Sequence, residues 1–329
     1  MRRTFKLLPL LLVVSLTACE REIHDCSFYC FDTMVVAHIN GAKKTPYKQI
    51  NKICENIEAL ADSHHKRDVV GVYNLNLTND KVEINKDLYD LLYWTKKSEE
   101  CAPYFNPLVG SLSKKWKDAL DNKQVLSDEV IQAELAAISS SSLEISKSNG
   151  AYYAQRTGTA QIDLGAIAKG YALYLCQDYL DNDYFFGDGG DYVVNAGSSS
   201  VILGKKYSAE DFYTVKISDL STPSYLHLKE VAISTSGISE QGVKIGDTIY
   251  SHIINPTTGS AINNFDTVIV INDVNAYGNA ALGDALSTSL MLSTLEEVAQ
   301  AENDLGVRII AIKDDEIKYK SESLEIYNE

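Results

Sequence analysis

Two hydrophobic periods are mixed along this chain without strict alternation. Residue-by-residue alternation marks strands, and spacing of three to four residues marks helices. A chain patterned this way builds an α+β fold, with mostly antiparallel sheets and packed helices. The spacing predicts strands at Phe31 to Ile39, Val82 to Ile84, Leu143 to Ile145, Ala151 to Gln155 and Ala160 to Ile162. It predicts helices over Tyr47 to Ser63, Lys86 to Cys101 and Ser127 to Ile138, the last with Ser127 as N-cap and acidic residues in its first turn. Ala166 to Tyr179 is helical and poor in charge, so it should be largely buried. After a Gly/Asp-rich loop, Asp181 to Asp191, come strands near Tyr192 to Ala196, Val201 to Leu203, Tyr213 to Ile217, Val231 to Ser234, Tyr250 to Ile254 and Thr267 to Ile271. Helices near Ala276 to Met291 and Leu295 to Leu305 precede a terminal hairpin, Val307 to Tyr319. No composition break divides residues 31–329, which are read as one unit.

Of the 329 residues, 45% are apolar and 23% charged, which is globular composition and excludes wholesale disorder. No heptad, collagen or solenoid repeat is present. The net charge of −15 argues against a nucleic-acid partner, because phosphate backbones need clustered Lys and Arg. The 20 tyrosines fit half-buried strand surface.

The first eighteen residues read as an export signal. Arg2, Arg3 and Lys6 form a basic head, and Leu7 to Leu16 is an apolar run too short to span a bilayer. Leu16-Thr17-Ala18-Cys19 resembles a lipobox, which implies cleavage before Cys19 and its diacylation, palmitate included. Residues 19–30 then form the lipidated N-terminus and a polar tether, and the protein sits on the extracytoplasmic, or periplasmic, side of a membrane. Cys26 and Cys30 are close enough in sequence to pair in an oxidising compartment.

Four segments can carry chemistry. In Gln161 to Tyr171 a strand ends at Asp163, a glycine follows and a helix starts, which suits a phosphate at the helix N-terminus with Lys169 nearby. An N-capping Asp and a solvated Lys fit the same residues. Tyr192 to Gly204 runs into a Gly/Ser turn at Gly197 that a ligand can approach, and a plain hairpin turn is equally compatible. Ile233 to Gly237 and Ser251 to Gly259 bring Ser236, Gly237 and His252 beside turn chemistry, and a lone histidine is more often structural than basic in function. Asp284 and Thr288 lie four apart on a helix, so their oxygens share one face. That is hard-oxygen ligation suited to Mg²⁺. Alone, the pair is also explained by a helix-dipole Asp and a Thr bonded to its own helix.

Taken in order, Asp163-x5-Lys169-Gly170-Tyr171, Asn195-Ala196-Gly197, Thr235-Ser236-Gly237, His252-x3-Pro256-x-Thr258-Gly259 and Asp284-x3-Thr288 resemble the ApbE family of FAD:protein FMN transferases, from about Phe31 to Met291. The resemblance implies a flavoprotein-maturing transferase that takes FAD as substrate with Mg²⁺, moves FMN onto a Thr or Ser of a target protein and releases AMP. It implies Mg²⁺ between Asp284, Thr288 and the carbonyl of Ala166. It implies FAD against Phe31, Tyr104, Phe105, Asn106, Asp163, Lys169, Gly197, Ser236, Gly237 and Ile254, with His252 as the candidate base. Departures from the family pattern are Phe31 for a common Met, Gly197-Ser198-Ser199 for Gly-Gly-Asn, and Asn106 and Asn255 where Asp is usual. The family's acceptor pattern, Asp-x-x-Ser/Thr-Gly-Ala-Ser/Thr, does not occur here, so the target is another protein. Competing readings are an FAD pyrophosphatase, giving FMN and AMP, and a non-catalytic FAD-binding lipoprotein.

Overall fold

The computed structural model describes residues 23–40, 45–185, 190–207, 210–238, 242–273 and 279–328. A hairpin of β1 (Ile23–Cys30) and β2 (Thr33–Asn40) leads into α1 (Thr45–Ala61), α2 (Val72–Asn76), β3 (Val82–Ile84) and α3 (Lys86–Cys101). A 3-10 turn at Pro107–Val109 opens onto α4 (Gly110–Asp121), α5 (Asp128–Ser139), β4 (Ser142–Ser148), β5 (Ala151–Thr157) and α6 (Ala168–Asp178). Strands dominate the second half: β6 (Tyr192–Ala196), β7 (Ser200–Leu203), β8 (Tyr213–Ile217), β9 (Ser224–Leu228), β10 (Val231–Gly237), β11 (Val243–Ile245), β12 (Thr248–Tyr250) and β13 (Thr267–Asp273). Then come α7 (Asn279–Leu290), α8 (Leu295–Leu305), β14 (Arg308–Lys313), β15 (Glu316–Lys320) and β16 (Tyr327–Asn328).

Eight strands form one sheet in the order β1-β2-β6-β7-β10-β13-β14-β15, and every described pairing is antiparallel. Alternation then sends successive residues to two different cores. On one face Ala232, Val268, Val270, Ile309 and Ala311 meet the helices. On the other, Val231, Ile233, Ile269, Ile271, Ile310 and Ile312 meet Ile217, Leu226 and Leu228 of the small sheet β16-β9-β8. The mixed, antiparallel architecture read from the sequence is the one observed.

The differences have local causes. The strand read from Phe31 starts at Thr33, because Phe31 and Asp32 form the β1–β2 turn, each with φ of 55°. Part of the segment read as a tether is strand β1, whose Cys30 packs inward while Tyr29 faces solvent. Cys26 and Cys30 therefore sit four residues apart along one strand, roughly 13 Å, beyond disulfide reach, and both are free. Ala160–Ile162 is extended but joins no ladder. Its bonds run instead to the start of α4 and to α2, from Gly110 N to the Gln161 carbonyl (2.9 Å) and from Ile162 N to Asn76 Oδ1 (2.7 Å). The strand read over Tyr250 to Ile254 ends at Tyr250. Helix α4 escaped the sequence reading, although Leu112, Trp116 and Leu120 repeat every four residues and are buried.

Arg156 fixes the path into the site. It is 6% exposed and donates to the carbonyls of Leu75, Asn76, Thr78, Gly158 and Ala160. One planar fork thus ties α2 to the chain that runs on to Asp163. Lys cannot reproduce five forked bonds. Arg156→Lys should lower unfolding free energy by about 3 kcal/mol, read from urea midpoints at unchanged slope.

Candidate functional site

Helices α6 and α7 approach so closely that position 170 has no room for a side chain. A Cβ on Gly170 would lie 2.2 Å from the Ala280 carbonyl oxygen and 2.8 Å from Asp284 Cγ. The contact lets the Gly170 amide donate to Asp284 Oδ2 at 2.6 Å. In a regular helix that amide would donate to the carbonyl of Ala166. Among the described residues the Ala166 carbonyl has no hydrogen-bond partner.

Strand β10 supplies the facing wall. Ser234 and Ser236 share one face, about 6.6 Å apart along a strand, and Asp284 and Thr288 share one helical face about 6 Å apart. The two spacings match. Ser234 Oγ donates to Asp284 Oδ1 at 2.7 Å, and Ser236 Oγ lies 2.9 Å from Ser287 Oγ and 3.1 Å from Thr288 Oγ1. Ser200, on β7 opposite Ser234, donates to both Asp284 oxygens at 2.9 and 3.0 Å. Gly283 permits this fit, since a Cβ there would lie 2.8 Å from Ser234 Oγ.

Asp284 is 7% exposed, and among the described residues no cationic nitrogen lies within 4 Å of it. Burial pushes its carboxyl above the ordinary carboxylate range, while Lys169, Ser234, Ser200 and Gly170 pull it back. A buried carboxylate without a contacting cation, a hydroxyl one turn away and an unpartnered carbonyl are all hard oxygens. The set fits a small divalent ion such as Mg²⁺.

Lys169 is half-buried beside this group. His252 is exposed by surface area, yet enough protein surrounds it for desolvation to act on its ring. Burial, then the nearby Lys169, holds its imidazole below the usual histidine value. Its segment continues into a turn that Asn255 closes by accepting from Thr257 N (2.9 Å) and Thr258 N (3.0 Å). Trp116 of α4 braces that turn, donating from Nε1 to the Gly259 carbonyl at 2.8 Å.

The other residues named from the sequence surround this core at varying remove. Asp163 accepts from Gly165 N at 2.7 Å, closing the turn before α6, and its own amide donates to Pro107, the neighbour of Asn106. Asn106 caps the 3-10 turn through Leu108 N and lines a groove of about 560 Å³ with Lys96 and Glu99. Tyr104 N donates to Ser289 Oγ beside Thr288, and its hydroxyl donates to Glu297. Phe105 and Ile254 are buried in the core, at 8% and 7% exposure. Phe31 lies in the β1–β2 turn and Gly197 in the turn after β6, and a Cβ on Gly197 would lie 2.3 Å from Oγ1 of Thr33, the first residue of β2. Cys19 lies outside the described residues. Thr288 bonds across to β10, whereas the sequence left open a bond within its own helix. Ser200, Ser234 and Ser287 were not singled out from the sequence, although the i, i+2 pair Ser234/Ser236 carried the signal.

The family model for the ApbE family matches residues 31–310. The chain belongs to this family. An FAD:protein FMN transferase of Chlamydia muridarum is 24% identical over 262 residues, covering 78% of this chain and 78% of that protein. One of Rhodobacter capsulatus is 31% identical over 219 residues, covering 64% of this chain and 39% of that protein. Among solved structures, the ApbE protein of Thermotoga maritima superposes with a TM-score of 0.73 at 23% identity, covering 92% of this chain and 98% of that one. The flavin transferase ApbE of Vibrio cholerae gives 0.71 at 18%, covering 94% and 97%. At these identities the two structures establish the ApbE fold.

Because burial raises the Asp284 carboxyl, its ionised form weakens the metal-free fold increasingly as pH rises above the ordinary carboxylate value. Asn resembles the neutral acid. Asp284→Asn should therefore melt no lower than the parent protein at pH 7 without metal, while FMN transfer falls at least ~100-fold. Paired melting and activity measurements check both halves.

Proposed function

We propose that the protein is an Mg²⁺-dependent FAD:protein FMN transferase that modifies a Ser or Thr hydroxyl of another protein and releases AMP. The observation that carries this reading is the bond from the Gly170 amide to Asp284, one helical turn from Thr288, which leaves the Ala166 carbonyl unpartnered among the described residues where α6 begins. Membership of the ApbE family and the names of the curated relatives support it.

In this reaction the acceptor hydroxyl oxygen bonds to the FMN phosphorus, and the bond from that phosphorus to the oxygen bridging to AMP breaks. AMP leaves with the bond's electron pair, and the hydroxyl proton passes to a base. Asp284, Thr288 and the Ala166 carbonyl would hold Mg²⁺, which would supply charge neutralisation to the diphosphate. Lys169 adds a fixed positive charge on the same side. Desolvation, and after it the Lys169 charge, favours the neutral form of His252, so the imidazole can accept the hydroxyl proton near pH 7. The glycine at 165, exposed in the turn after Asp163, leaves room for close approach of a phosphate, although its own amide is held by Asp163.

The deciding experiment combines the protein, FAD, Mg²⁺ and an acceptor domain carrying the Asp-x-x-Ser/Thr-Gly-Ala-Ser/Thr pattern. A fluorescent, denaturation-resistant flavin adduct with the mass of FMN is expected. FMN and AMP formed equally without acceptor would instead mark a pyrophosphatase, and tight FAD binding without turnover a non-catalytic carrier. Chelation by EDTA should abolish transfer, and added Mg²⁺ should restore it.

The His252 role fixes the sign of the pH dependence. Activity should be lost as pH falls, with a midpoint below the ordinary histidine value of about 6.5. His252→Gln should cost roughly 10²–10⁴-fold in kcat and erase that limb of the profile.

We also propose that Cys19 is the lipid-bearing residue of an exported, membrane-anchored protein, supported by the basic head, apolar run and lipobox. Labelling of the parent but not Cys19→Ser with a palmitate analogue tests it.

A further inference from the structure

Counting protons around Asp284 and Thr288 gives directions to bonds that distances alone leave open. A hydroxyl has one proton to donate and two lone pairs. Ser287 Oγ donates to the Asp284 main-chain carbonyl at 3.1 Å, which uses its proton. Ser287 must then accept in its 2.9 Å contact with Ser236, so Ser236 is the donor there. Ser236 has no proton left for Thr288 at 3.1 Å, and Thr288 donates to it. The relay runs Thr288 to Ser236 to Ser287 to the helix carbonyl. It draws the Thr288 proton toward β10 and leaves both Oγ1 lone pairs uncommitted.

Asp284 is constrained in the same way. Oδ1 accepts from Ser234 at 2.7 Å and from Ser200 at 2.9 Å, which fills both of its lone-pair directions. Oδ2 accepts from the Gly170 amide at 2.6 Å and only the longer, 3.0 Å branch of the Ser200 hydroxyl. Ser200, Ser234 and Ser287 are 2%, 2% and 1% exposed, so solvent does not compete for these bonds. The Gly170 bond also takes away the amide that would have occupied the Ala166 carbonyl.

We infer that Ser200, Ser234, Ser236 and Ser287 are positioning residues that orient Asp284 and Thr288 so that one Oδ2 lone pair and the Thr288 lone pairs stay available to a divalent cation. Ser287 acts through Ser236 and not by contact with the ion. The inference rests on the metal reading of the site given above. It assigns to three serines outside the recognised motif residues the task of presenting the ligands.

The test is Mg²⁺ titration by calorimetry into the FAD-loaded full chain, alongside melting without metal. Ser234→Ala and Ser287→Ala should each weaken Mg²⁺ binding about 10–100-fold, the range for losing a group that orients a ligand, while melting stays cooperative. Wild-type affinity in both variants overturns the proposal. A second pair separates orientation from packing. Ser234→Thr and Ser234→Val have one shape and differ in the hydroxyl, so Thr should keep affinity at least tenfold closer to the parent than Val. Equal losses in the pair overturn the proposal. A parent protein that binds FAD but takes up no Mg²⁺ overturns the metal reading itself, which separates that failure from a failure of the serines' role.

Discussion

The contact of Gly170 with Asp284 is the constraint on which the site depends. Two helices can bring backbone to within 2.6 Å of a carboxylate only if one of them lacks a Cβ at the crossing. That single approach does three things at once. It holds Asp284, it withdraws an amide from the Ala166 carbonyl, and it sets Lys169, the preceding residue, beside the carboxylate. A methyl group at position 170 would have to displace the Ala280 backbone, so the ligand geometry and the helix packing cannot be changed separately.

The serines around Asp284 are polar groups in the middle of a sheet that is otherwise buried on both faces. On the helical face, Ala232 is followed at the same side by Ser234 and Ser236, where a hydrophobic residue would pack better. Burying hydroxyls and a carboxylate costs free energy unless every donor and acceptor is matched. Here the matching is nearly complete, and what stays unmatched is the set of oxygens assigned above to the proposed cation. Stability is given up locally for a preorganised surface, as expected where a fold carries chemistry.

Much of this was legible in the sequence, for identifiable reasons. Helices Lys86–Cys101 and Leu295–Leu305 were read to the residue because their ends carry local signals: Asn85 caps the first, and Thr294 with Glu297 forms a capping box on the second. Helical spacing puts Asp284 and Thr288 on one face, but alone it also fits a helix-dipole Asp and a Thr bonded to its own helix, and the resemblance to the ApbE family singled the pair out. Ser200 and Ser234 were not legible, because their role depends on the pairing of β7 with β10 and on the docking of α7, which span 50 to 84 residues of sequence. Helix α4 was missed where a 3-10 turn and a Gly-Ser-Leu-Ser opening mask a regular Leu112, Trp116, Leu120 repeat. Asn255, a departure from the family's usual Asp, keeps the acceptor oxygen that the turn requires and gives up only a charge.

Strand β2 pairs with β6 across about 150 intervening residues, and those residues contain helices α1 to α6. Closing a loop of that length costs roughly 4 kcal/mol of chain entropy before any contact is rewarded. The hairpins β4–β5, β6–β7 and β14–β15 have no such cost and can form early. The β2–β6 seam therefore forms later than these hairpins, and it is the seam that brings Thr33 against Gly197. The Gly170–Asp284 contact spans 114 residues at nearly the same entropic cost and needs α7, a later segment of the chain, so the floor around Asp284 is completed no earlier than the wall beside it.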